Sequence, residues 1–229
     1  MMVDLVLKQM DESLRKIFLR GLLLSAMGLV FAGNTAKAND TKKRIVILGD
    51  SITAGYGLDL SQAYPALIQQ KIAKAKLPFI VVNAGVSGDT SAEGLRRVTW
   101  ALSKGADILL VVLGGNDGLR GIPPDETKKN LIGIVKKARI KNPEIKTLIA
   151  GMQMPDNMGP EFTERFKKLF PQIAKDTKSR LIPFLIAGVG GNENLNQPDG
   201  YSPNYRRAKN CRGKRLENPA SRTHNERAL

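Results

Sequence analysis

Ile45-Val46-Ile47-Leu48-Gly49-Asp50-Ser51-Ile52-Thr53-Ala54-Gly55-Tyr56-Gly57 decides how the rest of the chain is read. Four consecutive apolar β-formers describe a strand covered on both faces. Glycine and aspartate stop it, and a serine stands at its carboxyl end. In an open parallel α/β sheet, ligands bind at that end of the strands. A serine there can be a nucleophile if a base reaches its hydroxyl and donors receive the oxyanion. On these residues alone the alternative is that Asp50 or Ser51 caps the next helix.

Outward from this strand, apolar β-runs alternate with amphipathic helical patterns. A helix is expected over 61–76, with Ala63, Leu67, Ile68, Ile72 and Ala73 as its apolar face and Pro65 in its first turn. A strand over 79–83 ends at the small-residue loop Gly85-Val86-Ser87-Gly88-Asp89-Thr90. A helix over 91–103 leads to 107–113, almost wholly Ile, Leu and Val, and so to a central strand. Gly114-Gly115-Asn116-Asp117 follows it. A helix opened by Pro123-Pro124 runs to about Lys141, then come a strand over 145–152, a helix over 161–177, a short strand over 181–185 and a polar loop over 190–200. Short connections between alternating elements mean βαβ units. The fold class expected is therefore α/β: a three-layer, doubly wound parallel sheet of about five strands in the flavodoxin-like order.

The 229 residues suit one domain with extensions, and 42% hydrophobic content permits a sizeable core. The formal charge of +15 is unevenly spread. Residues 201–229 hold eight Lys/Arg against two Asp/Glu and residues 1–38 five against three, which leaves +7 for the body. With no aromatic interleaving and no nucleic-acid motif, that charge is not read as a nucleic-acid surface. Arg15, Lys16 and Arg20 precede the apolar run 21–32, and Ala36-Lys37-Ala38 offers a small-x-small cleavage pattern. Residues 1–38 are therefore expected to be a signal peptide, with a periplasmic mature chain starting at Asn39 and no stable membrane span after cleavage. A retained anchor is the alternative. Cys211 is the only cysteine, so no internal disulfide is available, and it follows no lipobox.

Four motifs occur in order: Gly49-Asp50-Ser51-Ile52, Gly85-Val86-Ser87-Gly88-Asp89-Thr90, Gly114-Gly115-Asn116-Asp117-Gly118 and Gln197-Pro198-Asp199-Gly200. Together they make roughly Lys43 to Gly200, within a domain expected over 39–200, resemble the SGNH hydrolases, also called the GDSL family, most closely the arylesterase, acyl thioesterase and lysophospholipase branch. The resemblance implies that Ser51 is the nucleophile. It implies an oxyanion hole made by the backbone N–H of Ser51, the backbone N–H of Gly88 and the side-chain amide of Asn116. It implies a monomer acting on a small acyl ester or thioester, with no metal and no cofactor. Taken singly, Gly88 and Asn116 also read as ordinary turn residues. Asp50, Asp89 and Asp117 are expected to hold their own loops through side-chain hydrogen bonds.

The last motif departs from the family. The resemblance calls for Asp-x-x-His, the aspartate orienting a histidine that acts as base, whereas Ser202 stands three residues after Asp199. Serine has no proton affinity near neutral pH. The chain's one histidine, His224, lies in a polar tail with nothing to position it. The amphipathic helix that closes the family's domain is also missing, which is expected to bare part of the sheet. Residues 201–229 are read instead as an aberrant basic tail, frameshifted and disordered. One choice of codons for Tyr201 to Glu217, read one base later, spells Ile-His-Pro-Thr-Thr-Glu-Gly-Gln-Lys-Ile-Val-Ala-Glu-Asn-Val-Trp-Lys. That single shift supplies both the histidine and a helical apolar spacing.

Overall fold

A computed structural model describes residues 42–186 and Asn196. The chain divides into two units, Met1–Gly188 and Val189–Leu229. The first unit is built from β1 (Lys43–Gly49), α1 (Ser51–Ala54), α2 (Tyr64–Lys74), β2 (Phe79–Gly85), α3 (Ser91–Ala101), β3 (Ile108–Val112), α4 (Gly115–Leu119), α5 (Pro124–Lys141), β4 (Lys146–Ala150), α6 (Pro160–Asp176) and β5 (Arg180–Ile182). Single 3₁₀ turns lie at Leu60–Gln62 and Asp156–Met158.

The five strands are all parallel and lie in the order β2-β1-β3-β4-β5, which is the flavodoxin-like order expected. Ile45 pairs with Val81 on one side and Ile108 on the other, which sets β1 between β2 and β3. The order reverses at β1, the switch point where such sheets bind ligands. Ile45, Val46, Ile47 and Leu48 are wholly buried. Successive side chains of a strand point to opposite faces. Burial of all four, and of Ile108 to Val112 in β3, therefore means that both faces are covered. Leu148, Ile149 and Ala150 of β4 are buried as well. β2 differs: Ile80 is 37% exposed, and Val81 and Val82 are half-buried.

Element boundaries shift for local reasons. The helix expected from residue 61 starts at Tyr64, because Leu60–Gln62 forms its own 3₁₀ turn and Ala63, with ψ near 143°, is extended. Pro65 falls in its first turn, as its fixed φ favours. The last strand ends at Ile182 because the register is lost there: the Gly151 N–H still donates to the Ile182 carbonyl, but the Gly151 carbonyl next accepts from Leu185, one residue beyond the in-register donor Phe184. Two short helices, α1 and α4, are not foreshadowed by the sequence pattern; four or five residues are too few to show a helical period.

Two glycines allow α1 to lie against the ends of the strands. A Cβ on Gly49 would collide with the Thr53 hydroxyl, and one on Gly85 with the Ala54 backbone nitrogen. Backbone cannot yield as a side-chain tip can. Gly85→Ala is therefore expected to cost about 1–3 kcal/mol, the usual range for overpacking. A thermal melt should read this as a loss of about 3–10 °C; an unchanged midpoint would show that α1 moves freely.

Candidate functional site

Asp50 is the N-cap of α1: its carboxylate accepts from the Ile52 N–H at 3.0 Å. The capping role open to Asp50 in the sequence is therefore real. Ser51 is consequently the first residue of α1, half-buried, just past the carboxyl end of β1. Neither its hydroxyl nor its backbone N–H makes a hydrogen bond among the described residues.

The loop after β2 is tied back to β1, since the Val86 N–H donates to the Gly49 carbonyl at 2.9 Å. Gly88 sits exposed in this loop with φ of +86°, a conformation open to glycine and strained for other residues. Its N–H also makes no hydrogen bond among the described residues. Its carbonyl accepts from the exposed Arg120 guanidinium at 2.9 Å.

Asn116 is the second residue of α4, which begins directly after the Gly114 turn at the end of β3. Its Nδ2 donates to the Asp89 carbonyl at 2.9 Å, next to Gly88. An amide nitrogen carries two hydrogens, so one remains for another acceptor. The ring of Phe170, in a run of stacked or edge-on rings with Phe162 and Phe166, packs under this turn: a Cβ on Gly114 would lie 3.1 Å from it. Ser51, Gly88 and Asn116 thus follow the ends of three adjacent strands, and Gly88 and Asn116 are linked through Asp89.

Asp117 and Asp89 reach beyond their own loops, where only local bonds are expected from the sequence. Asp117, fully buried, accepts from the Ser91 N–H at 2.8 Å, from the Ser91 hydroxyl and from the Thr127 hydroxyl at 3.1 Å. It thereby joins the starts of α3 and α5 to α4. Asp89 pairs with Arg97, a residue that no motif singles out. Glu93 reaches back to the Thr90 N–H at 2.9 Å and closes the first turn of α3. Thr90 and Arg96 hold the Glu93 carboxyl down at about 2. Asp50 goes the other way. Burial is the main cause, reinforced by the nearby charges of Asp89 and Asp117, and its carboxyl is pushed up to about 7.

Asp199, Ser202, Cys211 and His224 lie outside the described residues, as do the expected signal segment 1–38 and the tail 201–229. No cluster of three His, Cys, Asp or Glu side chains suited to a metal ion occurs among the described residues. No helix among them is long and apolar enough to cross a membrane.

Fold and site together define a doubly wound α/β protein that carries a serine loop at the ligand-binding edge of its sheet. The chain belongs to the GDSL-like Lipase/Acylhydrolase family, whose pattern matches residues 47–207. It is 41% identical over 187 residues to Esterase TesA of Pseudomonas aeruginosa, covering 81% of this chain and 90% of that protein. It is 38% identical over 177 residues to Thioesterase 1/protease 1/lysophospholipase L1 of Escherichia coli K12, covering 77% of this chain and 81% of that protein. The crystal structure of TesA superposes with a TM-score of 0.68 at 39% identity, covering 75% of this chain and 97% of that one.

Proposed function

We propose that the fold is built for hydrolysis of a carboxylic ester or thioester through an acyl-enzyme. Ser51 attacks the carbonyl carbon; its proton passes to a base, and the carbonyl oxygen becomes an oxyanion. The N–H groups of Ser51 and Gly88 and the remaining amide hydrogen of Asn116 receive that charge. The base then returns the proton to the leaving group. Water releases the acyl group by the same path in reverse. No step calls for a metal or a cofactor. The observation that carries this reading is the pair of N–H groups on Ser51 and Gly88, without partners among the described residues and following adjacent strands, with an asparagine amide that has a hydrogen to spare held to the residue after Gly88. The names of the relatives support ester and thioester substrates.

Asp199 is assigned the role of orienting a histidine, and Ser202 occupies that histidine's place. The chain as it stands is therefore proposed to turn over little substrate, and residues 201–229 to be a frameshift product. The gene around the Gly200 codon tests the second point: a His-Pro in the +1 frame is expected, and its absence refutes the frameshift. Export to the periplasm after loss of residues 1–38 completes the proposal.

In a chain with the histidine and closing helix restored, Asn116→Ala should lower kcat by about 10²–10³ with little change in KM, the usual cost of one oxyanion donor. A change in KM alone would assign Asn116 to substrate binding instead.

A second reading draws on the same departure at Ser202: an exported protein that binds acyl groups or esters without cleaving them. Labelling by a fluorophosphonate separates the two. An activated Ser51 is labelled in the restored chain if the hydrolase reading is right; no labelling there favours the binding protein.

A further inference from the structure

We infer that Arg97 is the positioning residue that sets Ser51 and the oxyanion donors at their working separation; this rests on the hydrolase reading above. Arg97 lies on α3 with its side chain only 18% exposed. Its three nitrogens reach three separate segments. Nη2 donates to the Gly49 carbonyl at 2.9 Å, Nη1 to the Ala84 carbonyl at 2.8 Å, and Nε to the Asp89 carboxylate.

Each of those segments leads directly to a proposed site group. Gly49 is the last residue of β1, and Asp50-Ser51 follows it. Ala84 is the penultimate residue of β2, from which the Gly88 loop departs. Asp89 follows Gly88, and its carbonyl holds the Asn116 amide. One planar cation therefore touches the approach to all three oxyanion donors.

The chemistry of the side chain matters here. The Gly49 carbonyl accepts both from Arg97 and from the Val86 N–H, and Ala84 lies opposite Leu48 near the end of the β1–β2 ladder. Two carbonyls and a carboxylate on different sides of one group need a rigid fork of donors. A guanidinium provides that; a lysine ammonium is a point charge that can keep the ion pair but cannot span the same three acceptors. The ion pair with Asp89 also keeps the guanidinium from being a lone charge in a half-buried place. Displacing a reacting group by about 1 Å can cost about 10² in rate. A residue that fixes relative positions of nucleophile and donors has leverage of that order without touching substrate.

Phenylboronic acid is a probe that does not need the missing base. The Ser51 oxygen forms a bond to boron, the hydroxyl proton goes to solvent, and a tetrahedral boronate anion results that occupies the oxyanion position. Its formation on the full chain is read as a tetrahedral ¹¹B resonance, with Ser51→Ala as control. Arg97→Ala and Arg97→Lys should each weaken the adduct by about tenfold or more, at a temperature where both variants are folded. Added guanidinium at millimolar levels should restore much of the loss in Arg97→Ala, by refilling the vacated fork, while urea at equal concentration should not. A role in stability alone would lower the melting temperature and leave the boronate affinity unmoved.

If the parent chain gives no adduct that depends on Ser51, the hydrolase reading falls and the role of Arg97 with it. If the parent binds through Ser51 and Arg97→Lys binds as tightly as the parent, only the positioning role is overturned. Arg97→Lys keeps the charge beside Asp89, so it decides the matter even where Arg97→Ala fails to fold.

Discussion

Placing histidine at position 202 and rebuilding the closing helix should raise turnover of p-nitrophenyl acetate by about four to six orders of magnitude over the chain as it stands. A serine hydroxyl is a poor nucleophile until a base takes its proton. Removing the histidine from a serine hydrolase costs up to about 10⁶ in kcat, because the serine and its base act as a unit. The oxyanion donors and binding still leave a residual about 10³–10⁴ over water. The two halves of the machinery can therefore be separated by experiment. In the present chain, Ser51→Ala should change the small residual rate little, since the nucleophile is already without its partner. In the restored chain the same substitution should cancel nearly the whole gain. That non-additivity is the signature of coupling between Ser51 and a base at position 202. Ordinary turnover in the purified present chain would refute the loss of the base. A restored chain that folds and stays inactive would refute the assignment of Asp199 and position 202.

The sheet was legible in the sequence because buried parallel strands announce themselves. Ile45 to Leu48 and Ile108 to Val112 are unbroken apolar β-formers, and the helices between strands show a clear apolar face. Ser51, Gly88 and Asn116 were singled out for a different reason, the order of the family motifs, since Gly88 and Asn116 taken singly read as turn residues. The structure sets each just past a strand end. What could not be read was the scaffolding between those loops. Arg97 looks like any basic residue on a helix until the fold brings it to Gly49, which is 48 positions away. Asp117 looks like part of an Asn-Asp turn, yet its partners Ser91 and Thr127 lie in the first turns of two other helices. Long-range hydrogen bonds leave no periodic trace. The helices α1 and α4 escaped because each is little more than a turn, started by Asp50 in one case and by the Gly114 turn in the other.

Asp50 gives the largest effect expected on stability. It is 3% exposed, the Ile52 N–H is its described side-chain hydrogen-bond partner, and Asp89 and Asp117 are close enough to repel its charge. Its carboxyl rises from the usual 3.8 to about 7. The folded chain therefore binds a proton that the unfolded chain has released anywhere between those two values. By linkage, stability falls as pH rises through that window, and the contribution is fully present only below about 4. The rise corresponds to roughly 4 kcal/mol at pH 8. Glu93 has the opposite sign, because its lowered carboxyl loses its stabilising contacts as pH falls through the range from 4.5 to about 2. Its partly exposed position in solvent makes that contribution small. Asp50→Asn keeps the acceptor for Ile52, keeps the shape, and removes the charge. At about pH 8 the variant should melt about 8–15 °C above the parent. At about pH 4 the two should nearly coincide, and the fall in melting temperature across that range should flatten in the variant. Parallel curves for the two chains would mean that Asp50 stays ionised in the folded protein, held by solvent or cations at the edge of the site, and that its burial has been offset.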